Sequence, residues 1–255
     1  MGLELRTKVA TRAQTLDRYG RTERSGTRVE RVVMPGSPAP THDLIRLREP
    51  IELTVDAPVP SWVEPVLRRT PWVVVRRGHV RDGVMPVGVR GMTRQQRFAA
   101  FLAVAEITDR LSPEDLAASP HVIERERKDA VPALAALARV ATVLACRGQR
   151  WGPGGSIGFE IATGVAAATP SSDLDLILRQ DRRLGPDEAV DLRAALAEAA
   201  APARVDVLLE TPGGGVSLAD LAARPEQVLV RTPEGPRLTA DPWRLSADTY
   251  LDRFS

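Results

Sequence analysis

Several things are scarce in this chain, and each scarcity excludes something. One cysteine, Cys146, stands among 255 residues, so no internal disulfide framework is available and a reducing compartment suits the protein. Its place in an Ala/Leu-rich stretch reads as a core position. The three histidines, His42, His79 and His121, are scattered without metal-ligand spacing, and a zinc site is not expected. No apolar run is long enough to span a bilayer, and the polar N-terminus lacks the apolar core of a secretory signal. The expectation is a cytoplasmic protein with no membrane partner. Net charge is only +2, so no basic footprint covers the whole surface and nucleic acid is not an expected partner. Aromatic residues make up 4% of the chain, a scarcity that goes with a coding bias toward alanine, arginine and proline and carries no functional meaning.

What is present is a 43% hydrophobic content, enough for one large or two small cores. Residues 1–40 are arginine-rich and polar, with Gly and Pro punctuation, and read as an N-terminal extension. Residues 41–125 read as an N-terminal α+β domain. It holds a strand at Ile51–Val55, a short capped helix from Ser61 to Arg69, a buried strand from Trp72, and an extended piece from Met85 to Gly91. A helix from Thr93 is expected next, with Phe98, Phe101, Leu102 and Ala105 on one face. Ser112-Pro113-Glu114-Asp115 then opens a further helix with a capping box. The charge run Glu124 to Lys128 reads as a solvated connection. Beyond it, residues 126–255 form the expected catalytic domain: a helix lined by Leu134, Leu137, Ala141 and Leu144, a helix from Pro186 to Ala201, a strand from Arg204 to Glu210, and a short helix capped by Ser217.

The chemistry concentrates in two short stretches. Gly154-Gly155-Ser156 precedes a short helical segment, whose first amides have no intrahelical partner and sit at its positive end, a setting for a phosphate. In Asp173-Leu174-Asp175-Leu176-Ile177-Leu178 the period is two, so Asp173 and Asp175 share one face while the leucines share the other. Asp206 lies opposite Val205 and Val207 on a later strand and adds a third acidic group. Paired carboxylates on a rigid element are hard oxygen ligands for a divalent cation, and together these features read as a metal-dependent phosphoryl-group site. Arg90 and Arg94, placed just before and at the start of the helix expected from Thr93, are either bidentate phosphate ligands or ordinary surface arginines. Gly213 to Gly215 reads as a turn, since no P-loop signature follows.

Gly155-Ser156, Asp173-x-Asp175 and Asp206 resemble the nucleotidyltransferase superfamily of the polymerase-β type. The wider wording, Trp151 to Glu160, Thr163-Gly164, Ser172 to Leu176, Val205-Asp206-Val207 and Glu210-Thr211-Pro212, with Pro86 to Gly91 and Gly235 to Leu238, resembles malonate decarboxylase holo-acyl-carrier-protein synthases, or phosphoribosyl-dephospho-coenzyme A transferases. The resemblance runs from about His42 to Trp243. It implies a polymerase-β-type domain behind a smaller α+β domain that recognises substrate or carrier. It also implies transfer of phosphoribosyl-dephospho-CoA from triphosphoribosyl-dephospho-CoA to a serine of the malonate decarboxylase acyl carrier protein, with release of diphosphate. Asp173, Asp175 and Asp206 would hold Mg2+ or Mn2+, and Gly155 and Ser156, with Arg90 and Arg94, would bind the donor. Two alternatives stay open: the same site acting on an ordinary nucleoside triphosphate with another acceptor, or a binding scaffold without catalysis.

Overall fold

The computed structural model describes residues 5–9, 37–48, 51–118 and 123–245. The expected N-terminal extension therefore lies largely outside the described residues, as does His121. The chain is mixed α/β, with two sheets and helices, and divides into two compact units: 1–39, 45–75 and 80–110 form one, and 40–44, 76–79 and 111–255 the other.

The N-terminal unit is built on a seven-stranded sheet. Its strands are β1 (Leu5–Val9), β2 (Leu44–Arg46), β3 (Ile51–Val55), β4 (Trp72–Val75), β5 (Val84–Arg90), β6 (Arg97–Ala103) and β7 (Asp109–Leu111), ordered β1-β3-β6-β5-β4-β2-β7. Ile51, Leu53 and Val55 are buried and alternate with Glu52 and Thr54, the pattern of a strand with one face on a core. Helix α1 (Val63–Arg69) buries Val63 and Leu67 against that core, but no side chain caps it. Its first amide bonds instead to the Pro60 carbonyl, at 3.0 Å.

The helix expected from Thr93 is a strand. β6 pairs antiparallel with β5 along its whole length, from Val84 opposite Ala103 to Arg90 opposite Arg97. The apolar residues of this stretch fit either period, and the hairpin partner decides it: Phe98, Ala100 and Leu102 face the core while Ala99 is exposed. Arg94 accordingly sits exposed in the connecting turn. The Gln96 side chain closes that turn by accepting from the Met92 and Thr93 amides, at 2.9 and 3.2 Å.

The C-terminal unit carries the helices α2 (Pro113–Ala118), α3 (Arg125–Ala130), α4 (Pro132–Cys146), α5 (Gly155–Thr163), α6 (Pro186–Ala200) and α7 (Leu218–Ala222). Its strands are β8 (Arg150–Pro153), β9 (Leu174–Arg179), β10 (Val205–Thr211), β11 (Gly214–Ser217), β12 (Val228–Thr232) and β13 (Gly235–Thr239). The sheet order is β13-β12-β11-β10-β9-β8. β9 and β10 run parallel, with α6 as the crossover, and the other pairs run antiparallel. α2 starts with the expected reciprocal cap: the Ser112 hydroxyl accepts from the Asp115 amide, at 3.1 Å, and the Asp115 carboxylate from the Ser112 amide, at 2.9 Å. On α4 the buried line is Ala133, Leu134, Ala136, Val140 and Leu144, each large side chain contributing about 1.5–3 kcal/mol. Cys146 is exposed, against the core position expected for it. Two residues beyond Leu144 the helix has turned by about 200°, which carries the thiol to the outer side. None of the helices among the described residues is long and apolar enough to cross a membrane.

The charge run at 124–128 is not simply a solvated connection. Most of it forms α3, from which Arg127 donates to both carboxylate oxygens of the buried Glu160, at 2.8 and 2.9 Å, and to the Ala168 carbonyl, at 2.9 Å. Glu160 also accepts from the Ala167 and Ala168 amides, at 2.9 and 2.8 Å. Burial raises the pKa of Glu160, but the Arg127 guanidinium and the two amides outweigh it and hold the carboxyl below the usual glutamate range. This knot ties α3, α5 and the start of the loop leading to β9. Because the folded pKa is depressed, its stabilisation is complete above the unfolded value of about 4.3 and is lost as pH falls toward the folded one. Glu160→Gln should cost about 2–4 kcal/mol at neutral pH and flatten the acid limb of melting temperature against pH. Circular-dichroism melts between pH 3 and 7 check this, and a variant melting with the wild type throughout would refute the role.

Candidate functional site

The register of β9 and β10 brings the acidic residues together. Asp175 lies directly opposite Asp206, flanked by Leu174 opposite Val205 and Leu176 opposite Val207. The leucines Leu174, Leu176 and Leu178 are almost completely buried, so the alternation sends Asp175 to the open side of the strand, and Asp206 is exposed. Asp173 precedes β9 and pairs loosely with Arg204, Oδ1 to Nε 3.7 Å, an exposed contact worth little.

Gly155 meets Asp175 from the other side. It is the first residue of α5, at φ +54, and a methyl group built on it would fall on the Asp175 carboxylate. Its neighbour Gly154 donates its amide to the Asp175 carbonyl, at 2.8 Å. Gly155 and Ser156 thus form the first turn of α5, where unbonded amides and the positive end of the helix face outward, with the Asp175 carboxylate packed against that turn.

These residues border a cavity of about 460 Å3 lined by Gly155, Asp175 and Asp206 together with Arg193 of α6, Ser217 and Arg231 of β12. It opens where β10 loses a neighbour: β11 pairs with β10 only over Leu208–Thr211, so Val205 to Val207 are paired on the β9 side alone. The carboxylate oxygens of Asp175 and Asp206 are hard ligands suited to a divalent cation, and Gly155 leaves the space that Asp175 needs. Among the described residues, however, no three acidic, histidine or cysteine side chains lie close enough together to cage a metal. A cation here would complete its shell with substrate and water oxygens, as Mg2+ commonly does.

The expected site residues are therefore distributed unevenly. Gly155, Asp175 and Asp206 line the cavity, Ser156 adjoins it in α5, and Asp173 stands two residues before Asp175. Arg90 and Arg94 belong to the N-terminal unit, at the end of β5 and in the turn after it, and do not line the cavity. Sequence reasoning missed Arg193 and Arg231. The only available signal for Arg231 was its alternate position on a strand in which Val228, Val230 and Thr232 are buried.

A second polar cluster lies within the same unit. Glu210 accepts from the Arg77 guanidinium and bonds His42 Nε2, at 2.8 Å. Burial raises its pKa, and His42 and Arg77 more than offset that, so the carboxyl titrates below its usual range. Beside it on β9, Arg179 reaches Glu114, at 3.1 Å, and the fully buried Asp43, at 3.6 Å.

Comparison with known proteins places the chain. Residues 116–242 match the family described as the phosphoribosyl-dephospho-CoA transferase MdcG C-terminal domain, and residues 40–113 the corresponding N-terminal domain. The chain belongs to this transferase family. Relatives named phosphoribosyl-dephospho-CoA transferase include that of Pseudomonas putida, 41% identical over 202 residues covering 79% of this chain and 94% of the relative. That of Pseudomonas aeruginosa is 39% identical, over 80% and 94%, and that of Azotobacter vinelandii 42%, over 74% and 88%. No solved structure matches.

Two glycines separate backbone strain from site chemistry. Gly155 and Gly164 both have positive φ, +54 and +70, but only at Gly155 would a methyl group strike a neighbour. Each Gly→Ala should cost about 1 kcal/mol in backbone conformation. Gly155→Ala should in addition displace Asp175 and cut turnover at least a hundredfold, while Gly164→Ala should stay within a few fold of wild type. Steady-state rates and melting temperatures of the two variants side by side make the comparison, and equal turnover would show that Asp175 needs no such clearance.

Proposed function

We propose that this chain attaches the phosphoribosyl-dephospho-CoA group of triphosphoribosyl-dephospho-CoA to a serine of the acyl carrier protein of malonate decarboxylase, releasing diphosphate. The observation that carries this reading is the Asp175–Asp206 register beside Gly155 in one cavity. Membership of the transferase family and the names of its relatives support the donor. The C-terminal unit then serves as a polymerase-β-type nucleotidyltransferase domain, and the N-terminal unit recognises donor or carrier through Arg90 and its neighbours. The setting is cytoplasmic, where Cys146 stays reduced.

In this mechanism the carrier's serine oxygen attacks the phosphorus next to the ribose. A new phosphoester bond forms, the bond to the leaving diphosphate breaks, and the hydroxyl proton passes to a base. Asp175 and Asp206 would hold Mg2+ or Mn2+ together with substrate and water oxygens, with Asp173 two residues before Asp175 as a further carboxylate for the ion's surroundings, and the ion when bound would polarise the phosphoryl oxygens and neutralise the leaving charge. Asp206 has no protein partner among the described residues, so its carboxylate is free to take the hydrogen bond of the incoming hydroxyl and then its proton. Gly155 and Ser156 offer amides and a hydroxyl at the helix N-terminus to phosphate oxygens.

The test incubates purified protein with apo carrier protein, Mg2+ and either triphosphoribosyl-dephospho-CoA or ATP, and weighs the intact carrier by mass spectrometry. A mass gain equal to phosphoribosyl-dephospho-CoA, with release of diphosphate, is expected. Modification by ATP alone would replace the proposed donor with an ordinary nucleotide. Asp175→Asn should lower single-turnover transfer by at least a thousandfold without changing the melting temperature by more than a few degrees. Asp206→Ala should stop transfer while leaving calorimetric donor binding within a few fold, because its contact forms in the transition state. Loss of donor affinity in step with rate would reassign Asp206 to the donor side.

A further inference from the structure

Most arginines of the C-terminal unit are tied to a carboxylate: Arg127 to Glu160, Arg179 to Glu114, Arg182 to Glu188 and Arg224 to Asp187, among others. The two that line the cavity differ. The side chains of Arg193 and Arg231 make no hydrogen bond or ion pair among the described residues, although Asp206, whose carboxylate also has no partner there, borders the same cavity. Opposite charges that share one cavity and leave each other unpaired are placed for a ligand that satisfies both. The register explains why Arg231 and Asp206 stay apart. Glu210 lies opposite Gly215, and Gly215 opposite Arg231, so Arg231 stands on the same sheet face as Asp206 but two strands and four residues away. With strands about 4.8 Å apart and a rise of about 3.3 Å per residue, the two backbone positions are separated by roughly 16 Å. Arg193 reaches the cavity from α6 and Ser217 contributes a hydroxyl at its margin.

We propose that Arg193 and Arg231 are the anion-binding groups of this cavity and hold the donor's phosphate oxygens, while Asp175 and Asp206 face the cation. This rests on the reading that the cavity admits a polyphosphorylated donor. Guanidinium groups suit the task, since their planar fork matches phosphate oxygens and keeps its charge at all working pH. The assignment places phosphate recognition in the C-terminal unit and leaves Arg90 and its neighbours to the carrier or to the rest of the donor.

The experiment uses inorganic triphosphate as probe, titrated calorimetrically into the full chain with Mg2+ present, so that no transfer is needed. Arg193→Ala and Arg231→Ala should each weaken binding about tenfold, which is about 1.4 kcal/mol, and Arg231→Lys should recover part of the loss. Arg182→Ala, an exposed arginine away from the cavity, should change it less than twofold. In steady state Arg231→Ala should raise the donor KM tenfold with kcat within threefold. Melting curves confirm that each variant is folded, and Arg231→Gln serves if the alanine variant is not. Folded variants that bind triphosphate as tightly as wild type would overturn the proposal. Arginine-dependent binding without any transfer to the carrier would uphold it and remove the functional reading instead.

Discussion

The parallel pairing of β9 with β10 is the constraint on which the C-terminal unit depends. Parallel neighbours need a crossover, supplied here by α6, and the helix can close only if both strands bury the same side. Leu174, Leu176, Leu178 and Leu209 meet that demand. A slip of one residue would turn the leucines outward and the carboxylates inward, at the cost of several buried side chains and two unpaired charges. The positions of Asp175 and Asp206 are thus enforced by apolar packing on the opposite side of the sheet, with no bond between the acids themselves.

Around that frame the unit buries the carboxylates of Asp43 and Glu160, and each faces an arginine, Arg179 and Arg127 respectively. Glu160 joins α5 to α3 and to the loop that enters β9, so a carboxylate some distance from the cavity governs where Asp173 and Asp175 begin. Glu210 and Arg179, side by side on the strands that carry the aspartates, are each held by residues from much earlier in the chain. Ion pairs of this kind add little net stability, but breaking one leaves an uncompensated charge, so they specify a single arrangement.

The aspartates were legible because period two is local: Asp173, Leu174 and Asp175 already state which side is buried. The Ser112 cap and the proline-led start of α6 were legible for the same reason. The helix expected from Thr93 failed because its apolar spacing fits two periods and only the long-range pairing with β5 decides between them. Cys146 failed through a rotation of two residues around α4, and the Glu124 to Lys128 run through a partner, Glu160, that lies more than thirty residues away. Arg193 and Arg231 had no local signature in a chain with 35 lysines and arginines. Their significance comes from what does not pair with them, which only the assembled sheet discloses.

The two segments that leave the N-terminal unit to join the other one, 40–44 and 76–79, also limit how the chain can be divided. They bring His42 and Arg77, the two partners of Glu210, and Asp43, which faces Arg179. A fragment beginning near Leu111 would retain every aspartate of the site but strand a buried carboxylate on the strand that carries Asp206, a penalty of about 3–5 kcal/mol. The C-terminal unit therefore keeps the charges of β9 and β10 paired only while the segments 40–44 and 76–79 remain in the chain, so a cut between the units would have to fall elsewhere than at Leu111.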